Sequence, residues 1–432
     1  MNYSPRLLLK SELFRNTSML VWGTAFAQLI PILLQPLLRR YFTPEIFGAY
    51  SVYSSLISIL LVISSLKYEL AIILPKKDKE AAAVFFLTVI LNFIFNFLLL
   101  LVIIIWKSKI LFYLNLADTY SIYLYLVPLG TFFFSLYTSI NYWLIRKKRF
   151  FPISINKFVR RGFEGIAQVT FKFAKVPNGL IYGDLIGHIG NICSGIYQGI
   201  KSGLTFRFFS PGKIRYVLIK YSEYPKFNIV PGFMSACSFL LPALMINKFY
   251  STDSLGYFDL SKLLLSVPPA LIASSISNVL LQRIAEKDKL RLSIRNDLIS
   301  ILVFICLVIL LEVILIQFWA EDLFRILFGD KWIFSGTISK ILVWAFAFNF
   351  FVSSFSSIFI SLKKIKLLSI WQVIYFLSIL SLFWFNNLSF SSFLKMYVII
   401  EVSCCTLITI FMLYIIVHYE KMVADIQLNN RM

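Results

Sequence analysis

The sequence predicts an all-α polytopic membrane protein with about twelve transmembrane helices in two pseudo-symmetric six-helix lobes. Three observations predict it: an apolar fraction too high for water, apolar runs of spanning length, and a motif repeated six helices apart. Of the 432 residues, 59% are hydrophobic and 15% charged, against roughly 45–50% and 25% in soluble domains. Mean hydropathy is +0.80. A soluble chain of this length needs a polar surface that such a composition cannot furnish. In a bilayer every span must be a helix or part of a closed barrel. The apolar runs are continuous rather than alternating, which selects helices.

A span needs roughly 20 apolar residues. On that rule, helices are expected at about 16–38, 46–66, 81–105, 120–144, 158–176, 179–199, 226–249, 255–281, 297–319, 335–360, 367–386 and 394–416. The segment 1–15 carries Arg6, Lys10 and Arg15, and no small-residue cleavage site follows, so it reads as a cytoplasmic tail. The expected organisation is a lobe at 1–199, a cytoplasmic linker at 200–226, a lobe at 227–416 and a cytoplasmic tail at 417–432. The five cysteines, Cys193, Cys237, Cys306, Cys404 and Cys405, all fall in apolar runs and read as small packing residues.

Lys and Arg counts orient the chain. With the start inside, the cytoplasmic segments hold 30 basic residues and the outer segments 10, while Lys262 and Lys340 lie within spans. Both termini are therefore expected in the cytoplasm. The formal net charge of +21 is topological, with attraction to anionic headgroups, and does not point to nucleic acid. The densest run is Arg146-Lys147-Lys148-Arg149, a topogenic anchor or a docking surface for headgroups.

Residues 39–58 (RRYFTPEIFGAYSVYSSLIS) align without a gap to 247–266 (NKFYSTDSLGYFDLSKLLLS). Thr43 and Ser251 suit N-caps, Glu45 and Asp253 suit the first turn, and Gly48 and Gly256 allow close helix approach. The copies begin the second and eighth expected helices. An even separation makes the repeats parallel, as in transporters built from two six-helix bundles around a central cavity.

Charges within spans are functional candidates because they are costly there. They are Glu164, Lys172, Asp184, His188, Asp259, Lys262, Glu312, Lys340 and Glu401. Asp259 and Lys262 are three apart and share a helix face, as a local ion pair or as a cavity cation for a phosphate with an acidic neighbour. Asp184 and His188, four apart, suit either a packing hydrogen bond or a proton site. Glu164 is expected to pair with Arg160 or Arg161. Arg39 and Arg40 at an outer mouth require compensation by Glu45 or by a bound anion. Gly179, Gly183 and Gly187, then Gly195 and Gly199, make a stripe of close helix contact. Prolines at 31, 36, 128, 231, 242, 268 and 269 free carbonyls and can kink their helices.

The stretch Leu38–Ala71, LRRYFTPEIFGAYSVYSSLISILLVISSLKYELA, running into IILPKKDKEA, resembles Wzx-type O-antigen flippases of the polysaccharide biosynthesis family. Leu255-Gly256-Tyr257-Phe258 and Leu327-Phe328-Gly329-Asp330-Lys331-Trp332 look similar as well. The resemblance implies the multidrug/oligosaccharidyl-lipid/polysaccharide exporter fold. It also implies an undecaprenyl-diphosphate-linked oligosaccharide as substrate, moved from the cytoplasmic to the periplasmic leaflet of a bacterial inner membrane. No cofactor is implied beyond a proton or sodium gradient. Expected partners are the lipid-linked oligosaccharide, membrane lipids, a glycan polymerase and a chain-length regulator. A cationic cavity lining carries over as a role onto Lys262, Lys340 and Arg40, with Arg39 and Lys172 as further substrate candidates. Ion coupling falls to Asp184, His188, Asp259 and Glu401. Trp22, Tyr53 and Tyr257 are candidates to stack on sugars. The alternatives are a multidrug antiporter of the same fold, a membrane enzyme of glycan assembly and a scaffold. The enzyme is disfavoured because no large outer loop exists to hold catalytic residues.

Overall fold

The computed structural model describes residues 12–429, with the side chains of 27–426. Most of the expected leading tail and the side chain of Trp22 lie outside the described residues. In chain order the helices are α1 (Glu12–Tyr41), α2 (Pro44–Ser64), α3 (Asp78–Leu114), α4 (Ser121–Arg146), α5 (Phe150–Phe173), α6 (Gly179–Lys201), α7 (Pro211–Lys220), α8 (Glu223–Phe249), α9 (Thr252–Leu290), α10 (Arg295–Phe328), α11 (Ile333–Phe355), α12 (Ser357–Ser361), α13 (Ile365–Leu380) and α14 (Phe390–Asn429). All twelve expected long helices are present, joined by the short α7 and α12.

Nine segments of the described chain are long and apolar enough to cross a membrane, including Pro44–Ser64, Asp78–Leu114 and Arg295–Phe328. The chain is a multi-pass membrane protein. Of the remaining three long helices, α5 is the most charged. Leu307, Leu311 and Phe318 of α10 are exposed, as expected of a helix whose outer face is solvated by hydrocarbon rather than water.

Several helices outrun the 20-residue rule. Helix α3 continues to Leu114 through a kink at Trp106 (φ −113°, ψ 22°), so Lys107 and Lys109 are helical rather than in an outer loop. Helix α9 reaches Leu290 and passes unbroken through Pro268 and Pro269. Helix α5 begins at Phe150, not near 158. That correction places Arg160 and Arg161 about three turns inside the helix, rather than in its first turn as a start near 158 implies.

The first repeat copy forms as its sequence dictates. Thr43 caps α2 with an extended backbone, its hydroxyl accepts from the Ile46 N–H at 3.4 Å, and Pro44 opens the helix. In the second copy, Ser251 immediately precedes α9.

The chain clusters into two compact units. The first comprises 1–236 with 251–253, and the second 237–250 with 254–432. In the first, α5 packs along α6 and α1, α4 lies against α2, α3 and α6, and α7 rests on α3. The segment expected as a linker thus contains a helix that is part of the first unit. In the second, α11 packs against α10 and α14, and α13 against α14.

The Lys67-Tyr68-Glu69-Leu70-Ala71 motif is a structural clasp. Leu66 and Lys67 take left-handed backbone (φ 51° and 61°) and turn the chain into a 3₁₀ helix, Tyr68–Ile73. Tyr68 is buried and donates to the Leu218 carbonyl at 2.8 Å, and burial raises its phenol pKa. Ser65 donates to the buried Glu69 at 2.5 Å. Arg146 donates to the carbonyls of Ile73, Pro75 and Lys76 and reaches Asp78 at 3.1 Å. Lys147 meets the other Asp78 oxygen at 2.5 Å. Lys220 of α7 pairs with Glu80 at 2.6 Å, and that hydrogen bond holds its ammonium above the ordinary pKa.

Candidate functional site

Each unit carries a cluster of polar groups inside its helices. In the first unit it is built on the α5–α6 pair. Buried residues Asn156, Glu164 and Gln168, with the mostly covered Arg160, recur every four residues along one α5 face. The facing glycines of α6 let that face come close. A Cβ on Gly183 would lie 2.3 Å from the Gln168 side chain, and one on Gly187 would lie 2.7 Å from Glu164 Cβ and 2.9 Å from the Arg160 carbonyl oxygen. The stripe therefore acts as the small-residue spacing suggests: it brings backbones together.

Close packing aligns α5 with Asp184 and His188 on α6. Arg160 reaches the Asp184 carboxylate at 3.5 Å and His188 Nε2 at 3.1 Å. His188 Nε2 is 3.7 Å from the second Asp184 oxygen, which also accepts from the Tyr53 hydroxyl at 3.4 Å. The Phe134 ring covers the guanidinium, 4.9 Å from the ring centre, and sits 5.4 Å from the imidazole. Asp184 and His188 are 4% and 1% exposed. Two buried nitrogens of the cluster, Arg160 Nε and His188 Nδ1, have no protein partner, and neither polar atom of the Asn191 amide has one. Such groups are costly unless a mobile species serves them. Chemically, the site has one cation, one carboxylate, one imidazole and one phenol in mutual reach.

Arg161 pairs with Glu164 one turn on at 2.8 Å, so of the two expected partners Glu164 takes Arg161. Tyr53 is 1% exposed; it serves Asp184 and presents no face for a sugar ring. Arg39 is 1% exposed, donates to Gln35 at 2.8 Å and lies 3.6 Å above the Phe47 ring, whereas Arg40 is exposed. Lys172 is held between the rings of Tyr41 and Phe173, at 2.8 and 3.9 Å from their centres.

In the second unit, Glu401 of α14 is 4% exposed. It accepts from Tyr375 of α13 at 2.7 Å and from Tyr397 on its own helix. Tyr375 stacks on Trp371, whose indole N–H donates to the Cys404 carbonyl at 2.8 Å. Lys262 on α9 is half-buried. It donates to the Phe239 carbonyl at 2.7 Å, lies 3.6 Å over the Phe239 ring, and is electrostatically coupled to Asp259 and Glu401. Asp259, Lys262 and Glu401 thus form one charged neighbourhood. Lys340 stands apart in an ion pair with Glu321 at 2.7 Å. Tyr257 packs edge-on against Trp332 and Phe334.

Tyr375→Phe should lower stability by about 1–3 kcal/mol, because it removes a donor from a buried carboxylate. Thermal unfolding of the detergent-solubilised protein checks this, and an unchanged midpoint would contradict it.

Sequence reasoning missed Arg160. Its signal was the four-residue recurrence Arg160-Glu164-Gln168 inside the expected helix, which Asn156 extends once 150–157 is taken as helix.

A family profile described as polysaccharide biosynthesis protein matches residues 37–337. No curated protein matches the chain in sequence. Among solved structures, the chain is similar to an inward-facing multidrug resistance MATE family transporter of the MOP superfamily (TM-score 0.71, 14% identity, covering 91% of this chain and 96% of that one). It is equally similar to the lipid II flippase MurJ in an inward closed conformation (TM-score 0.71, 16% identity, 95% and 92% covered). The Vibrio cholerae MATE transporter VcmN in its bent form matches at a TM-score of 0.55, with 12% identity and 95% and 97% covered. At these identities the likeness shows the fold.

Proposed function

The chain belongs to the polysaccharide biosynthesis protein family, and on that premise we propose that it is a flippase for a polyprenyl-diphosphate-linked oligosaccharide. It carries this lipid from the cytoplasmic to the periplasmic leaflet of a bacterial inner membrane, with both termini in the cytoplasm. The observation that supports the reading is a glycan-assembly family set on a transporter fold, a fold shared with a lipid II flippase. A glycan polymerase and a chain-length regulator are proposed as its partners.

Transport is driven by a proton or sodium gradient acting through buried carboxylates. In the first unit, protonation of Asp184 removes the negative charge opposite Arg160 and leaves the guanidinium to His188 or to an entering anion. In the second, Lys262 is the proposed contact for the substrate phosphate, with Asp259 and Glu401 setting the local field. Arg39, Arg40 and Lys172 remain secondary candidates.

Complementation of a deletion strain, scored as surface glycan, tests the assignment. Lys262→Ala should abolish complementation at normal expression. Lys340→Ala should retain it, because Glu321 already neutralises that lysine. Full complementation by Lys262→Ala would remove Lys262 from the substrate path. The equal likeness to a MATE transporter favours one second reading, a multidrug antiporter. Heightened drug susceptibility with intact surface glycan would select it.

A further inference from the structure

We propose that the turn between α4 and α5, with the end of α6, forms a binding site for the headgroup of an anionic phospholipid. A cavity of about 380 Å³ lies there, and Lys148, Arg149 and Lys201 are its charged lining residues. No carboxylate lines it. Asp78 and Glu80, at this end of the unit, are engaged elsewhere: Asp78 by Arg146 and Lys147, and Glu80 by Lys220. The four-residue basic run therefore divides. Its first half clasps the chain, and its second half faces the cavity without an ion-pair partner among the described residues. Three uncompensated cations at one concavity attract an anion strongly, and Gln198 and Ser202 add hydrogen-bonding capacity.

The walls indicate a lipid rather than a soluble anion. Phe150, Phe151 and Ile155 form the apolar side of the cavity. From Phe151 an exposed apolar row continues along α5 through Phe158, Ile166 and Phe173, spaced seven or eight residues apart. Phosphate would sit on the basic rim while an acyl chain lies along that row, the arrangement by which basic clusters at helix ends hold acidic lipids. The predicted role of the site is to fix the α4–α5 turn at the membrane surface.

The test is native mass spectrometry of the full chain released from nanodiscs of equal phosphatidylglycerol and phosphatidylcholine. Wild type is expected to retain phosphatidylglycerol. Lys148→Gln/Arg149→Gln/Lys201→Gln should lose it by on the order of 100-fold, from roughly 1 kcal/mol per cation. A control with Arg207→Gln/Lys213→Gln/Arg215→Gln, exposed cations at the same end, should retain it. A charge-keeping variant, Lys148→Arg/Lys201→Arg, should also retain it, which separates loss of charge from loss of fold. Equal retention by the triple pocket variant and wild type would overturn the proposal. So would displacement of the lipid by millimolar inorganic phosphate, which would mark a site for a soluble anion.

Discussion

Arg160→Ala is expected to inactivate the protein and to destabilise it by about 3–5 kcal/mol. Removing one partner of a buried pair leaves an uncompensated charge, which costs far more than the pair itself contributes. Here the stranded group is Asp184, 4% exposed, with Tyr53 and His188 as its remaining close side-chain contacts among the described residues. Thermal unfolding in detergent measures the loss, and an unchanged midpoint would contradict the placement. The double substitution Arg160→Met/Asp184→Leu should recover most of the stability, since both charges leave together. Surface glycan should remain absent in that double variant. If it returns, the cluster is packing and not machinery. The comparison separates two roles that a single substitution confounds.

Gly187→Leu is the second change with a large expected effect. A Cβ at this position meets the Arg160 carbonyl oxygen at 2.9 Å, and backbone cannot rotate away as a side chain can. Helices α5 and α6 must separate, which costs at least about 1–3 kcal/mol and moves Asp184 away from Arg160. Both the melting temperature and surface glycan should fall. Gly162→Leu is the control, because a Cβ there meets nothing within 4 Å. Equal behaviour of the two variants would show that the glycine stripe does not set the site.

Much of this was legible in the chain. The apolar runs locate the long helices because a bilayer leaves backbone groups no alternative to internal hydrogen bonds. Thr43 and Pro44 mark the start of α2 through local capping chemistry, and Asp184 and His188 share a face because four residues make about one turn. Arg160 was overlooked because a start near 158 puts it in the first turn of its helix, at the membrane surface, whereas α5 begins at Phe150 and carries it inward. A window of about 20 residues also truncates longer helices, as it does α3, α9 and α14. Other pairings are tertiary and leave no local signal. The partners of Lys340 and Glu401 lie 19 and 26 residues away in sequence. Tyr53 carries no mark of its own that distinguishes a sugar platform from a buried donor to Asp184, 131 residues on.

The most direct test is the leaflet distribution of the lipid-linked oligosaccharide in cells lacking this chain, read by the access of a membrane-impermeant sugar-modifying enzyme. A flippase predicts accumulation on the cytoplasmic side and loss of surface glycan, both reversed by the wild-type gene and not by Arg160→Met/Asp184→Leu. Unchanged leaflet distribution with normal surface glycan, in a strain with no second flippase, would contradict it.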